Sequence, residues 1–237
     1  MPDDRNSLSA AAPVGNDRVV ADFPAPRDIA AGYDVAAREY TEEFADELDR
    51  KPFDREILTR FAAATAGRGG VADVGCGPGH VAGFLAARGV DVCGIDISTE
   101  MVAIAHRRHR MPVVAGNMLA LGLRSGTLAG ITSFYSLIHV PRALVATVLT
   151  ELRRVLRADG RLLLAVHGGE GVVRRDSWYD HPVDMAATLF PLDELLRDIA
   201  GSGFVIEEAQ TRPPYEFEYQ SERIYVVSRT DAQPDGA

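Results

Sequence analysis

Residues 71–98 read VADVGCGPGHVAGFLAARGVDVCGIDIS, and no other stretch limits the fold so closely. Val71-Ala72-Asp73-Val74 is a short apolar run of strand type. Gly75, Gly77 and Gly79 follow at alternate positions. A helical spacing then takes over, with Val81, Phe84 and Leu85 on one face and Gly89 as the stop. Residues 91–95 read as a second strand ending on Asp96, 21 residues after the first glycine. Glycine permits positive φ and lets a ligand approach the backbone closely. The helix behind the loop offers unpaired N–H groups. A carboxylate at the tip of the second strand can accept hydrogen bonds from both hydroxyls of a ribose. The unit implies a pocket for a nucleoside cofactor and leaves open which one.

Two readings share these residues. From Gly77, G-P-G-H-V-A fits the dinucleotide pattern G-x-G-x-x-A, so an NAD(P)-dependent reductase stays open on spacing. From Asp73, D-V-G-C-G-P-G resembles motif I of the class I S-adenosylmethionine (SAM) methyltransferases, an acid followed by G-x-G-x-G. Asp96-Ile97-Ser98-Thr99-Glu100-Met101 resembles that family's second motif, in which the acid holds the ribose and hydrophobes flank the adenine. More loosely, the resemblance extends from about Tyr33 to Arg229. It implies an α/β fold, Rossmann-like and doubly wound, with a seven-stranded, mostly parallel sheet, an antiparallel last strand and two N-terminal lid helices. It also implies SAM as cofactor, held by Gly75, Cys76, Gly77, Asp96, Ile97 and Met101, with Tyr33, Tyr40, Asn117, Met118, Leu119 and Phe134 as the other cofactor-contact candidates.

Composition bears on compartment and partner. At 237 residues and 46% hydrophobic, the chain can bury the core of one α/β domain. No apolar run is long enough to cross a bilayer, and MPDDRNSL lacks a signal-peptide apolar region, so the expectation is a cytoplasmic, membrane-free protein. Cys76 and Cys93, the only cysteines, are expected as free thiols in a reducing compartment. A net charge of −9 argues against a nucleic-acid partner. So does the absence of an Asn/Asp-Pro-Pro-Tyr run after the fourth strand. Lys51 is the only lysine among 25 basic residues, and this arginine bias with high alanine content suggests a bacterial, secondary-metabolic setting. A homodimer is left open.

Along the chain, residues 1–27 read as an N-terminal tail, 28–230 as one domain and 231–237 as a second tail. Within the domain, 28–67 reads as a helical lid. Tyr33, Ala37, Tyr40, Phe44 and Leu48 recur at helical steps over 28–50, and Pro52 opens a second helix. Tyr33 and Tyr40 can face the same way, and by resemblance Tyr40 reaches the methionine end of SAM. Ser98 is placed to cap a helix over 99–107. A short strand at 113–115 leads to Asn117, Met118 and Leu119. The family commonly has an acid at the Asn117 position to accept from the adenine amino group, and an amide oxygen can still do so. A plain turn asparagine is the alternative.

The fourth strand, 128–133, leads to Phe134 and Tyr135 at the strand ends where open parallel sheets bind ligands. A helix over 142–156 and a turn at 158–160 return the chain to a fifth strand, 161–167. Residues 168–191 break the rhythm and hold Arg174, Arg175, Trp178, Tyr179 and Met185. In relatives an insertion here builds the acceptor pocket, which makes Tyr135, Trp178 and Tyr179 acceptor-binding candidates. A helix at 192–200 and two last strands close the chain.

The resemblance implies transfer of a methyl group from SAM to a small-molecule acceptor at O, N or C. A non-catalytic SAM-binding module is a further alternative. A protein serves such a reaction mainly by alignment, with a base added where the acceptor must lose a proton. His139 and His167 stand beyond the fourth and fifth strands and are the candidate bases. His80, His106 and His109 read as structural. The histidines and cysteines lack metal-ligand spacing.

Overall fold

The computed structural model describes residues 9–10 and 23–231. The expected tails therefore lie largely outside the described residues. In chain order the elements are β1 (Ser9–Ala10), α1 (Pro26–Val35), α2 (Ala37–Phe44), a 3-10 turn (Glu47–Arg50), α3 (Pro52–Thr65), β2 (Val71–Val74), α4 (His80–Ala86), β3 (Val92–Asp96), α5 (Thr99–His109) and β4 (Val113–Ala115). They continue with β5 (Leu128–Phe134), α6 (Val145–Val155), β6 (Leu156–His167), β7 (Val172–Trp178), β8 (His181–Thr188), α7 (Leu192–Gly201), β9 (Phe204–Arg212) and β10 (Arg223–Thr230). Among the described residues no helix is long and apolar enough to cross a membrane.

The main sheet has seven strands in the order β4-β3-β2-β5-β6-β10-β9. Strands β2 to β6 are mutually parallel, and β10 runs antiparallel to both β6 and β9. This is the expected doubly wound sheet. Strand order reverses at β2 and β5, where such sheets leave a crevice at the strand C-termini. The antiparallel β10, wedged between β6 and β9, departs from the dinucleotide-binding strand order, which weighs against the reductase reading.

Side chains alternate across a strand, and β6 shows the consequence. Leu162, Leu164 and Val166 join one core with Leu149 and Leu152 of α6 and Leu195 and Ile199 of α7. Leu163 and Ala165 join the opposite core with Ile57, Leu58 and Phe61 of α3 and Val81 and Leu85 of α4. Helices on both faces leave the central strands buried throughout, as a parallel sheet requires. The Ser98 hydroxyl accepts the Met101 N–H at 3.1 Å and caps α5 as its position predicts.

Three segments depart from the sequence reading. Strand β6 begins at Leu156 and runs through the stretch read as a turn at 158–160. The helix expected over 28–50 is broken at Ala36, which is fully buried with φ −94° and ψ 2°. The break sets the Tyr33 and Tyr40 rings edge to face at 5.5 Å. Residues 168–191 form a β-hairpin, β7 paired antiparallel to β8, with β1 added on the outer side of β7. Its turn places Tyr179 and Asp180 consecutively at φ 48° and 64°. Two left-handed residues in a row give a turn that normally carries Asn-Gly. Tyr-Asp gives no such signal, so the hairpin is not legible in the sequence. Tyr179 is held there by stacking on Trp178 at 5.3 Å and by a hydrogen bond donated to Glu43.

Candidate active site

A cavity of about 370 Å³ opens over the C-terminal ends of β2, β3 and β5. Its walls include Tyr33, Tyr40, Gly75, Gly77, Asp96, Ile97, Asn117, Met118, Leu119 and Phe134, ten of the twelve residues assigned to cofactor contact. Cys76 and Met101 are not on that wall. Cys76 is buried in the core on the α3–α4 side of the sheet, where its sulfur lies 2.8 Å from the point a Cβ on Gly94 would occupy. Met101 is fully buried under α5. Side chains the sequence did not single out complete the wall: Phe23, Pro24 and Pro26 from the entry to α1, and Ser136, Pro141 and Leu144 beyond β5.

The glycines of the loop serve different ends. Gly75, at φ 75°, could not carry a side chain because its Cβ would overlap Ser136. Ser136 is fixed there by donating to the Val74 carbonyl at 2.7 Å and by pairing with the Ser133 hydroxyl. Gly77, at φ 51°, has only a Tyr40 ring carbon, 3.8 Å away, near the space a Cβ would take. Its backbone faces the cavity. The Gly77 N–H donates to Asp96 Oδ2 at 2.7 Å, and the Ser98 N–H to Oδ1 at 2.9 Å. A carboxylate offers about four acceptor positions, so Asp96 keeps two for a ligand. The Asn117 carbonyl oxygen accepts from Leu119 N–H at 2.9 Å, leaving its amide hydrogens to donate.

Asp73, fully buried one layer below, has its pKa raised to about 6 by burial, despite a hydrogen bond from Thr132 at 2.8 Å.

A second cavity, of about 180 Å³, adjoins the first. Tyr33, Tyr40, Tyr135 and His139 line both. Trp178 and His167 line the second, and Tyr179 backs it through Trp178. His139 is the junction. Its Nδ1 faces the Ala186 carbonyl at 2.8 Å, so that nitrogen carries the proton. Nε2 then accepts from the Tyr33 hydroxyl at 2.8 Å. Burial lowers the His139 pKa to about 4 and raises that of Tyr33, so both are neutral near pH 7. His167 pairs with the Ser221 hydroxyl at 2.9 Å. Burial and the charges of Arg223 and Lys51 lower its pKa to about 3.

An ion cluster forms the floor of the second cavity. Lys51 Nζ, buried, lies 2.7 Å from Glu47 and 3.1 Å from Glu218. Arg212 binds Glu218 through both terminal nitrogens and reaches Asp54, which accepts from the Tyr225 hydroxyl at 2.7 Å. Tyr225 in turn pairs with the Tyr135 hydroxyl at 2.9 Å. Glu47 also meets His80 at 3.1 Å, which ties the cluster to the start of α4. Burial alone would raise Glu47 and Glu218, but hydrogen bonds from His80 and Arg212 respectively, with the nearby cations, hold both at about 2. These residues are far apart in sequence and carry no motif, so only the fold assembles them. No metal-binding group of three His, Cys, Asp or Glu occurs among the described residues.

Comparison with known proteins agrees with this geometry. Residues 71–160 match the family model described as a methyltransferase domain. Over 143 residues the chain is 34% identical to a demethylmenaquinone methyltransferase of Beutenbergia cavernae, covering 59% of this chain. The match spans 58% of that relative's length. The crystal structure of the 1,6-didemethyltoxoflavin-N1-methyltransferase of Burkholderia thailandensis, with bound 1,6-didemethyltoxoflavin and S-adenosylhomocysteine, superposes with a TM-score of 0.68 at 19% identity. That superposition covers 94% of this chain and 93% of the other. The [4+2]-cyclase SpnF superposes with a TM-score of 0.67 at 15% identity, over 89% of this chain and 98% of that one.

Proposed function

We propose that this chain, whose residues 71–160 match a methyltransferase domain, is a class I S-adenosylmethionine-dependent methyltransferase that transfers a methyl group from SAM to a small-molecule acceptor held in the second cavity. The observation that carries the reading is the pair of adjoining cavities meeting at Tyr33, Tyr40, Tyr135 and His139. One has the features a nucleoside amino acid needs, and the other opens on the same four residues.

The residues present fit SAM. Gly77 offers bare backbone, Asp96 two open acceptor positions for a ribose, and Ile97, Met118, Leu119 and Phe134 an apolar slot for adenine. Asn117 can donate to a ring nitrogen. Tyr33 and Tyr40 roof the cavity. The bound sulfonium supplies an electrophilic methyl group that carries its own leaving group. The protein's task is then alignment, with effective-molarity arguments allowing up to roughly 7–11 kcal/mol for it. The rings of Tyr33 and Tyr40 meet Trp178 edge to face beside the junction. His139, with its Nε2 lone pair directed at Tyr33, is the group placed to take a proton from the acceptor through that hydroxyl. His167 faces the same cavity but is held against protonation by burial and by Arg223 and Lys51.

A melting experiment with SAM and S-adenosylhomocysteine tests cofactor choice. At a hundredfold over the dissociation constant, ligand adds about 2.7 kcal/mol, which is a shift of roughly 5–10 °C for a domain of this size. A shift with NADH and none with SAM would overturn the proposal. A second reading is SAM binding without methyl transfer, and the superposed [4+2]-cyclase shows that this fold also occurs in a protein named for another reaction. Methyl-labelled SAM with cell extract separates the two, since only a methyltransferase moves label to an acceptor.

A further inference from the structure

Asp34, on α1, lines neither cavity, yet two hydrogen bonds link it to Asp96. Its Oδ1 accepts from the Ser98 hydroxyl at 2.5 Å and from the Glu100 N–H at 3.1 Å. The Ser98 oxygen accepts in turn from the Met101 N–H, so the first turn of α5 is capped twice. One cap is local, and the other is a carboxylate brought in by α1. An anion suits that place, because the unpaired N–H groups of a helix N-terminus favour negative charge.

Ser98 is fully buried and committed on two sides. Its hydroxyl donates to Asp34, and its backbone N–H donates to Asp96 Oδ1 at 2.9 Å. The Gly77 N–H holds the other Asp96 oxygen at 2.7 Å. The Asp96 carboxylate is thus fixed on one edge by the glycine loop and on the other by Ser98, whose own place depends on Asp34. Burial raises the Asp96 pKa, the Ser98, Gly77 and Ile97 N–H groups lower it, and the charge of Asp34 raises it further. What Asp34 gives Asp96 is therefore position, not favourable charge. The same helix supplies Pro26, Ile29 and Tyr33 to the wall of the first cavity.

Building on the methyltransferase reading, we propose that Asp34 is a positioning residue for the cofactor: through Ser98 it holds the Asp96 carboxylate in the orientation that grips a ribose, and it fastens the lid helix α1 to that arrangement. The juxtaposition that carries this is one carboxylate shared between Ser98 and the start of α5, directly behind the strand-tip acid.

The full chain is titrated by calorimetry with S-adenosylhomocysteine and with its 2′-deoxyribose analogue. The wild type is expected to bind the ribose compound at least about tenfold tighter, as loss of a hydrogen bond to a charged acceptor implies. In Asp34→Ala that ratio should fall to about threefold or less. Asp34→Asn keeps an acceptor oxygen without the charge and should keep the wild-type ratio. Ser98→Ala should reproduce Asp34→Ala, and the double variant should be no worse than either. The ratio does not depend on how much of a variant folds, so a residue that merely stabilised the lid or α5 would leave it unchanged. An unchanged ratio in Asp34→Ala would overturn the proposal. So would a loss in Asp34→Asn as large as that in Asp34→Ala, additive effects in the double variant, or a wild type that does not distinguish the two compounds. A missing melting shift with S-adenosylhomocysteine instead overturns the methyltransferase reading beneath it, so the two failures are distinguishable.

Discussion

The Tyr33 hydroxyl donates to His139 Nε2 across 2.8 Å, joining the first lid helix to the loop after β5 at the seam between the two cavities. Because Nδ1 is committed to the Ala186 carbonyl, the pair has a fixed polarity: the imidazole accepts and the phenol gives. General-base assistance is typically worth about 10²- to 10⁴-fold, so His139→Gln is expected to slow label transfer from SAM by that order. Tyr33→Phe should slow it too, since it breaks the relay but keeps the ring. With the His139 pKa near 4, the acid limb of wild-type turnover falls near that value, well below an ordinary histidine's 6.5 or so. An unchanged rate and pH profile in His139→Gln would remove the histidine from the mechanism.

The two cavity histidines also set how stability depends on pH. His139 and His167 have folded pKa values of about 4 and about 3, below that of an unfolded histidine. The unfolded chain therefore takes up protons first. Their stabilising contribution is complete above about pH 6.5 and is lost as pH falls toward those values. Asp73 acts oppositely. Its folded pKa of about 6 exceeds the ordinary aspartate value, so it adds stability as pH falls from about 6 toward 4. The two histidine shifts together exceed the single aspartate shift, so the melting temperature should fall between about pH 6.5 and 4.5. Asp73→Asn should steepen that fall and His167→Phe flatten it, as scanning calorimetry in matched buffers would show. A melting temperature that rises across this window would contradict the argument.

The nucleotide half of the site was legible because its signals are local. Glycines, a strand tip and an acid lie within 21 residues of one another, so chain order already brings them together. The second cavity is built by long-range contact. Lys51 meets Glu218, and Asp54 meets Tyr225, only once β10 has entered the sheet beside β6. The hairpin that carries Trp178 and Arg175 was hidden because its turn uses Tyr-Asp where Asn-Gly is usual. Cys76 shows the converse limit. It lies inside the motif, yet the loop turns its side chain into the core beneath α3 and α4 and away from the ligand.

Gly75 and Gly77 separate fold from function within one loop. Gly75→Ala forces a methyl group into Ser136 at a positive φ and should destabilise the fold by about 2–4 kcal/mol. Ser136→Gly in the same chain should recover part of that loss, measurable as a coupling in a double-mutant cycle. Gly77→Ala, whose Cβ would make only an ordinary contact with a Tyr40 ring carbon, should cost about 1–2 kcal/mol for left-handed backbone alone. Its methyl group, however, stands in the cofactor cavity. Denaturant unfolding and SAM titration on the two variants should therefore rank them in opposite orders. The same ranking in both measurements would mean that Gly77 does not face the ligand.

Lys51 holds two carboxylates that nothing else neutralises fully. Glu47 keeps His80 when the lysine is removed, and Glu218 keeps Arg212, but each loses an ion pair at a site almost closed to water. Breaking one partner of a buried cluster typically costs about 3–5 kcal/mol, because the remaining charge stays desolvated. Lys51→Met should thus lower the melting temperature by roughly 6–20 °C, at about 2–4 °C per kcal/mol for a domain of this size. Glu47→Gln added to Lys51→Met removes one stranded charge and should restore part of the loss, which a mere packing defect at position 51 would not allow. Lys51 is one of the groups that hold the Glu47 pKa down, so in Lys51→Met burial raises it, and the rescue should be present at neutral pH and fade at a higher pH than the wild-type value of about 2 would set. A double variant no more stable than Lys51→Met alone would show that the cluster contributes through packing and not through charge.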